Sequence, residues 1–312
     1  MAKDKVLEKP MTEEEAGEFE LSKKEYSYWK SVWRRFRRHK MATVGLIALA
    51  LIVTFSIVTP LVSPYKMDQI ALEDRFTAPT SKYILGTDEL GRDVLTRLAY
   101  GGRVSLFVAV VAALTSLLLG ATIGGIAGFF GGWVDNILMR LVDVLLSIPT
   151  FPLLMLLAMY FGGSLWNLIL IITVLGWMTE SRLVRGYFLS LRETEFVEAA
   201  FAIGASSRRI IWRHIMPNAL AVLIVSVTLS VGGIILWEAA LSYLGLGIAP
   251  PTPSWGNMLQ RSMEYILGAP TKGGRPPWWL TFYPGLMIFL TALSVNFMGD
   301  GLRDALDPRL KL

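Results

Sequence analysis

Cysteine is absent from this 312-residue chain and histidine occurs only at His39 and His214. Without thiols there are no disulfides, no thiolate metal sites and no cysteine nucleophiles. With one histidine in a basic N-terminal segment and the other far along the chain, no histidine cluster exists to hold a metal. A phosphate-cradling Gly-x-x-x-x-Gly-Lys-Ser/Thr is missing as well, so this chain is expected to bind no nucleotide and to carry out no hydrolysis itself. No cofactor of its own is expected. Charge is scarce too, at 18% of residues against 53% apolar ones, whereas an ordinary soluble domain carries about 25% charged residues. The formal net charge of +5 does not indicate a nucleic-acid partner, because Lys and Arg crowd beside apolar runs and form no single soluble face.

What the chain has in quantity is long uncharged runs. Residues 41–65 exceed the roughly 20 residues that an α-helix needs to cross the hydrocarbon core. That run is also too long for a signal h-region and follows a long polar segment, so no cleavable signal peptide is expected. Residues 104–134 form a second run. A third, 144–179, is too long for one helix and is broken by Phe161, Gly162, Gly163 and Ser164, which predicts two spans joined by a tight turn. Residues 219–246, interrupted only by Glu238, and 280–298 complete a count of six. The expected fold is therefore an all-α integral membrane protein of six transmembrane helices. Its parts are a tail at 1–40, a first span at 41–65, an outer loop at 66–103 and a core at 104–312 holding five spans and a helical loop at 195–217.

Orientation follows from the positive-inside rule. Lys23, Lys24, Lys30, Arg34, Arg35, Arg37, Arg38 and Lys40 place the N-terminus inside, and six spans return the C-terminus inside, with Arg303, Arg309 and Lys311. The same parity puts Arg182, Arg185, Arg192, Arg208, Arg209 and Arg213 inside. Tyr26, Trp29, Trp33 and Phe36 recur at helical spacing among the basic residues, the pattern of an interfacial helix, while residues 1–21 are polar, acidic and expected to be disordered. Gly120, Gly124, Gly128 and Gly132 recur every four residues and keep one helix face free for a neighbouring backbone. There is no internal repeat of the secondary-transporter kind.

The ionisable residues near the spans have structural readings first. Thr87 with Asp88 and Glu89 reads as an N-cap and acidic first turn, and Asp93 can pair with Arg97 four residues on. Asp143 and Asp300 are expected to pair at the inner interface. Glu238 lies in an apolar span, where an acid is costly and is a functional candidate; with Ser242 it is a candidate for the translocation path, or else for an interhelical bond. The outer segment 250–284, rich in Pro and Gly, reads as irregular, with Trp278 and Trp279 at the membrane interface. In the inside loop, Glu198-Ala199-Ala200-Phe201-Ala202-Ile203-Gly204 favours a short helix that Gly204 turns. Ser206 or Ser207 can then cap a second helix ending before Pro217.

This loop resembles the EAA loop of ABC import permeases. Glu198, Ala199, Ala200, Gly204 and Pro217 match its spacing, and His214 and Met216 depart from it. The stretches 86–95, 102–106, 238–247, 253–256 and 299–309 are similar to the C-type subunit of dipeptide and oligopeptide permeases. The resemblance implies a type I importer permease fold, with the knob at 195–217 as the coupling helix, made by Glu198, Ala199, Ala200, Gly204, Arg208, Arg209 and Pro217. In it Glu198 would cap or salt-link the knob, the alanines would permit close contact and Gly204 would supply the turn. The implied partners are a second similar permease subunit, two ATPase subunits that bind ATP and Mg, an extracytoplasmic binding protein and the bilayer of the cell membrane. Peptides are the implied cargo. Nickel or another small solute remains open, because nickel importers resemble the same branch, and a secondary transporter is the alternative of a different class.

Overall fold

The computed structural model describes residues 28–266 and 276–306. Residues 1–21, Lys23, Lys24, Tyr26, Arg309 and Lys311 lie outside the described residues, as do Gly268, Pro270, Gly273 and Gly274 of the outer segment. Within the described residues the chain is helical, joined by turns and one isolated bridge between Thr87 and Asp93.

Helix α1 spans Tyr28–Arg38 and α2 spans Lys40–Val62. Val32 and Phe36 of α1 are buried against Ala42, Val225, Ala305 and Leu306, while Trp33 stacks on Phe36 from outside at 5.8 Å. One face of the interfacial helix is thus committed to the protein. His39 separates the two helices and caps α2, its Nδ1 accepting from the Ala42 N–H at 3.1 Å.

Helix α3, Val94–Phe130, has 37 residues, ~55 Å at 1.5 Å per residue against a core of ~30 Å. It starts well before the uncharged run at 104 because its first turns are enclosed by protein. Asp93, and not Thr87, is its N-cap, accepting from the Thr96 N–H at 2.8 Å. Arg103 donates to the carbonyls of Ser56 and Ile57 at 2.8 and 2.6 Å, and Trp255 Nε1 donates to the Leu98 carbonyl at 2.9 Å.

Beyond α3 the outcome differs from an unbroken third span. Gly131 and Gly132, at φ +64° and +54°, adopt a conformation no helix can continue. Helix α4, Gly132–Leu146, then meets α5, Thr150–Phe161, at a bend of 80°. Pro149, which lacks an N–H, stands at that break. Neither piece is long enough to cross alone; together they qualify as one broken span. With α2, α3, α6 (Leu165–Arg192), α9 (Met216–Tyr243) and α11 (Trp279–Leu306) this makes five helices long and apolar enough to cross, or six spans with the bent pair. Gly162 closes α5 at φ +81°, and Ser164 caps α6, Leu165–Arg192, by accepting from the Asn167 N–H at 3.1 Å.

The chain continues through α7, Glu195–Ala202, α8, Ser207–Ile210, and α9, Met216–Tyr243. The outer segment expected to be irregular contains α10, Trp255–Ile266, followed by α11, Trp279–Leu306. The described termini meet at one end, where Phe36 packs near Ala305, and the 195–217 loop lies at that same end, where Phe129 stacks on Phe201 at 6.0 Å. The opposite end holds the start of α3, the 162–164 turn and α10, tied by Trp279 Nε1 donating to the Thr87 carbonyl at 3.1 Å and Ala249 N–H donating to the Gly163 carbonyl at 2.8 Å.

The most extensive helix pairing is α3 with α6. A Cβ on Gly120 would stand 2.8 Å from the Trp177 carbonyl oxygen, one on Gly124 would strike the Ser181 carbonyl, and one on Gly128 would come within 2.7 Å of Phe188 Cβ. These three glycines let the backbones touch. Gly132 has no part in the seam: it opens α4, and a Cβ there would meet nothing within 4 Å. Gly124→Ala is therefore expected to destabilise the protein by about 1–3 kcal/mol, the usual cost of overpacking. Gly186→Ala, on the exposed side of α6 with free space around it, is expected to stabilise by up to about 1 kcal/mol from helix propensity. Thermal unfolding in detergent checks the opposite signs.

Candidate functional sites

The knob at 195–217 is built from its turns. Thr194 precedes α7, whose Val197 and Ala200 are buried with Phe129, Val184, Phe188, Ile210 and Ile215. Gly204 then takes φ +76°, and the Ala205 N–H donates to the Ala200 carbonyl while the Gly204 N–H donates to Phe201, both at 3.0 Å. That pair of bonds is the glycine-closed helix end that only a left-handed residue permits. Ser206 starts α8. The second helix does not stop at Pro217. A wider π turn over Ile211–Ile215 leads without a break into α9, relieving the clash of the proline ring with the preceding turn.

The result is a knob whose inner side is packed and whose outer side is apolar and bare. Phe196, Phe201 and Trp212 are exposed, and Ile203 is 85% exposed, bordered by the exposed Arg208, Arg209 and Arg213. Glu198 is exposed and makes no side-chain ion pair or hydrogen bond with the described residues, so it neither caps nor salt-links the knob within this chain. Of the two alanines only Ala199 faces outward; Ala200 is buried.

At the opposite end a group of charges is enclosed. Asp88 accepts from Arg92 Nε at 2.7 Å and faces Arg97 Nε at 3.3 Å, and Glu89 accepts from Arg92 Nη2 at 2.7 Å and from Arg261 Nη1 at 3.1 Å. Asp88 and Glu89 are thus ion-pair partners rather than a first helical turn, and Arg97 pairs with Asp88 rather than with Asp93. Arg261 went unnoticed in the sequence, inside the segment read as irregular. The signal was present in the spacing of Trp255, Met258, Leu259 and Ser262, a helical stripe that buries Trp255, Met258 and Ser262. Nearby, burial and then the hydrogen bond to Asp74 push the Tyr83 phenol above its ordinary pKa, so it stays a donor.

Glu238 and Ser242 are inside the chain, at 0% and 1% exposure. Glu238 Oε2 accepts from Ser105 and Oε1 from Ser242, at 2.9 and 2.8 Å. Ser105 in turn accepts from the Trp255 N–H at 3.3 Å. Gly247 and Gly256 close against Ser242, which together with Gly163, Gly245 and Asn257 also lines a cavity of about 310 Å³. The acid joins α3, α9 and the start of α10. Asp143 pairs with Arg182 at 2.5 Å, whereas Asp300 is exposed at the end of α11.

A second intramembrane acid, Glu180, was missed because the apolar run ends at Thr179 and the residues after it read as a loop. Helix α6 in fact runs on to Arg192. Glu180 is 6% exposed and accepts from Ser226 and Ser230 of α9 at 2.6 and 2.7 Å.

Asp88→Asn removes a charge on which both Arg92 and Arg97 depend. Breaking such a buried pair is expected to cost about 3 kcal/mol, against less than about 1 kcal/mol for Asp143→Asn, whose pair is half exposed. Comparing the two melting midpoints in detergent checks the ranking.

Residues 120–312 match the family described as binding-protein-dependent transport system inner membrane component, and residues 27–79 match the N-terminal TM domain of oligopeptide transport permease C. The chain is 40% identical over 285 residues to the dipeptide transport system permease protein DppC of Bacillus subtilis (strain 168), covering 91% of this chain and 87% of that one. It is 40% identical over 297 residues to the oligopeptide transport system permease protein OppC of the same organism, covering 95% of each. It is 40% identical to OppC of Haemophilus influenzae over 285 residues, 91% of this chain and 89% of that one. With five or six spans, a packed knob carrying the Glu198 to Pro217 motif, and a match over more than half its length, this chain belongs to the binding-protein-dependent transport inner membrane components, a family of multi-pass permeases and not of enzymes.

Proposed function

We propose that the chain is the pore-forming subunit of an ATP-driven importer that carries dipeptides or oligopeptides delivered by an extracytoplasmic binding protein. In this reading it pairs with a second similar permease subunit in the bacterial inner membrane, with both termini and the knob cytoplasmic. Two partner ATPase subunits bind ATP and Mg and supply the work. The cargo is carried over from relatives named as dipeptide and oligopeptide permeases.

One observation carries the coupling part: the knob exposes Phe196, Phe201, Ile203 and Trp212 at a helical end rimmed by arginines. Apolar surface of this kind on a protruding loop, away from the apolar spans, marks a protein contact. The knob's inner side is packed on the ends of α3 and α6 and on the start of α9, so it cannot move independently of them. Closure of the ATPase pair then shifts these helices as a body, a two-state rigid-body transition between inward-open and outward-open arrangements. Ala199 allows a partner to approach closely, Arg208 and Arg209 supply positive charge at the rim, and Gly204 and the Pro217 turn fix how the knob projects.

Gly204→Arg puts a branched cation where φ is +76°, a backbone state costing an L-residue about 1–3 kcal/mol, on the proposed docking face. The expected outcome is loss of ATPase co-purification and at least a roughly tenfold fall in ATP-dependent uptake, equivalent to about 1.4 kcal/mol. The variant is expected to keep its elution volume in detergent. Unchanged uptake would contradict the coupling assignment.

A further inference from the structure

The acids on the spanning helices have different fates. Asp135 is held by Arg185 at 2.5 Å, Asp143 by Arg182, and Asp304 faces His39 at 3.7 Å. Glu238 is sealed between serines that are themselves buried. Like Glu238, Glu180 has no cationic partner among the described residues, but the two hydroxyls that bind it belong to half-buried serines. The run from Ser226 to Val231 on α9 is half-buried throughout, so the hydroxyl side of this group is not closed off by the rest of the chain.

Its depth is also distinctive. Counting 1.5 Å per residue, Glu180 lies ~22 Å along α6 from Leu165, and Ser226 and Ser230 lie ~15 and ~21 Å along α9 from Met216. Those positions are near the midpoints of two 28-residue helices, each ~42 Å long and so longer than a ~30 Å hydrocarbon core. An acid there is expensive to keep without a cation, and as a rule it faces a bundle interior or a water-filled cavity. The seam with α3 fixes which way it faces, because Glu180 Cβ lies against Gly120 and leaves the carboxylate only the α9 side.

We infer that Glu180, Ser226 and Ser230 form a mid-membrane site for a primary ammonium group, the N-terminus or a lysine side chain of a peptide in transit. The inference rests on the peptide-import reading above. An ammonium group offers three donors and no acceptor. The site offers a carboxylate and two hydroxyl oxygens, each of which keeps lone pairs after donating its proton to Glu180. The single negative charge compensates the cation that a zwitterionic peptide must carry across the apolar core. Two nearly equivalent hydroxyls at i and i+4 return to the carboxylate when the ligand leaves, which makes the site a passing point and not a trap.

Because the chain has no cysteine, Ser226→Cys and Ser230→Cys can be probed in the complete complex, reconstituted in proteoliposomes, against the unsubstituted complex as background. A cationic methanethiosulfonate is expected to react about tenfold faster than an anionic one, after correction for their rates with free cysteine, as local field focusing implies. A saturating dipeptide is expected to slow the labelling, and Glu180→Gln to abolish the charge preference. In otherwise unsubstituted complex, Glu180→Gln is expected to lower dipeptide uptake about tenfold, ~1.4 kcal/mol, with ATP hydrolysis stimulated by liganded binding protein kept within about twofold of the unsubstituted level. No labelling at either position, labelling without charge preference, or a parallel fall of uptake and ATP hydrolysis would each overturn the proposal in favour of a plain interhelical clamp. If the unsubstituted complex accumulates no peptide, the import reading fails instead, and the charge preference still reports the cation site.

Discussion

Where α3 passes α6, Gly120, Gly124 and Gly128 put no side chain between the two backbones, and dispersion contacts form along the whole crossing. In lipid this matters more than in water, because burying an apolar side chain against another helix gains nothing over burying it in acyl chains. Close backbone approach is one of the few forces left. The seam reaches from mid-membrane to the knob end, where Phe129 of α3 and Phe188 of α6 form the floor on which Val197 and Ala200 rest. It also directs Glu180 toward α9. Both the knob's attachment and the placing of Glu180 thus follow from three missing side chains.

Polar groups divide the molecule into parts that hold and parts that remain available. At the end opposite the knob, Asp88 and Glu89 pair with Arg92, Arg97 and Arg261 and fasten α10 to the start of α3. Glu238 does the same without a cation, its oxygens taken by Ser105 and Ser242. Such fully satisfied networks specify one arrangement of helices. Glu180 differs by having partners that can let go, since Ser226 and Ser230 are half-buried and each can rotate its hydroxyl.

Much of this was legible in the residues. Uncharged runs gave the spans formed by α2, α6, α9 and α11, and the Glu198 to Gly204 pattern gave the knob's first helix and its glycine turn. The misplaced helix boundaries of α3 and α6 share a cause: a charge count locates helices only where lipid is the solvent. Helix α3 begins at Val94 because protein, not lipid, surrounds Arg97 and Arg103. Helix α6 passes through Glu180 because two serines on another helix satisfy it, a pairing that lies 46 and 50 residues away in sequence. Gly132 fits the four-residue period yet falls beyond the break at Gly131, since periodicity carries no record of a positive φ. Pro217 looked like a stop, and a π turn absorbs it.

The central claim is that α3 and α6 move as one strut with the knob. Pairs of spin labels in the reconstituted complex test it directly, placed at Leu118→Cys with Leu183→Cys across the seam, and at Ile203→Cys with the corresponding knob position of the partner permease. Distances would be measured without nucleotide and with ATP trapped. The account predicts that the distance across the seam is the same in both states while the distance between knobs shortens; a seam distance that changes as much as the knob distance would contradict it.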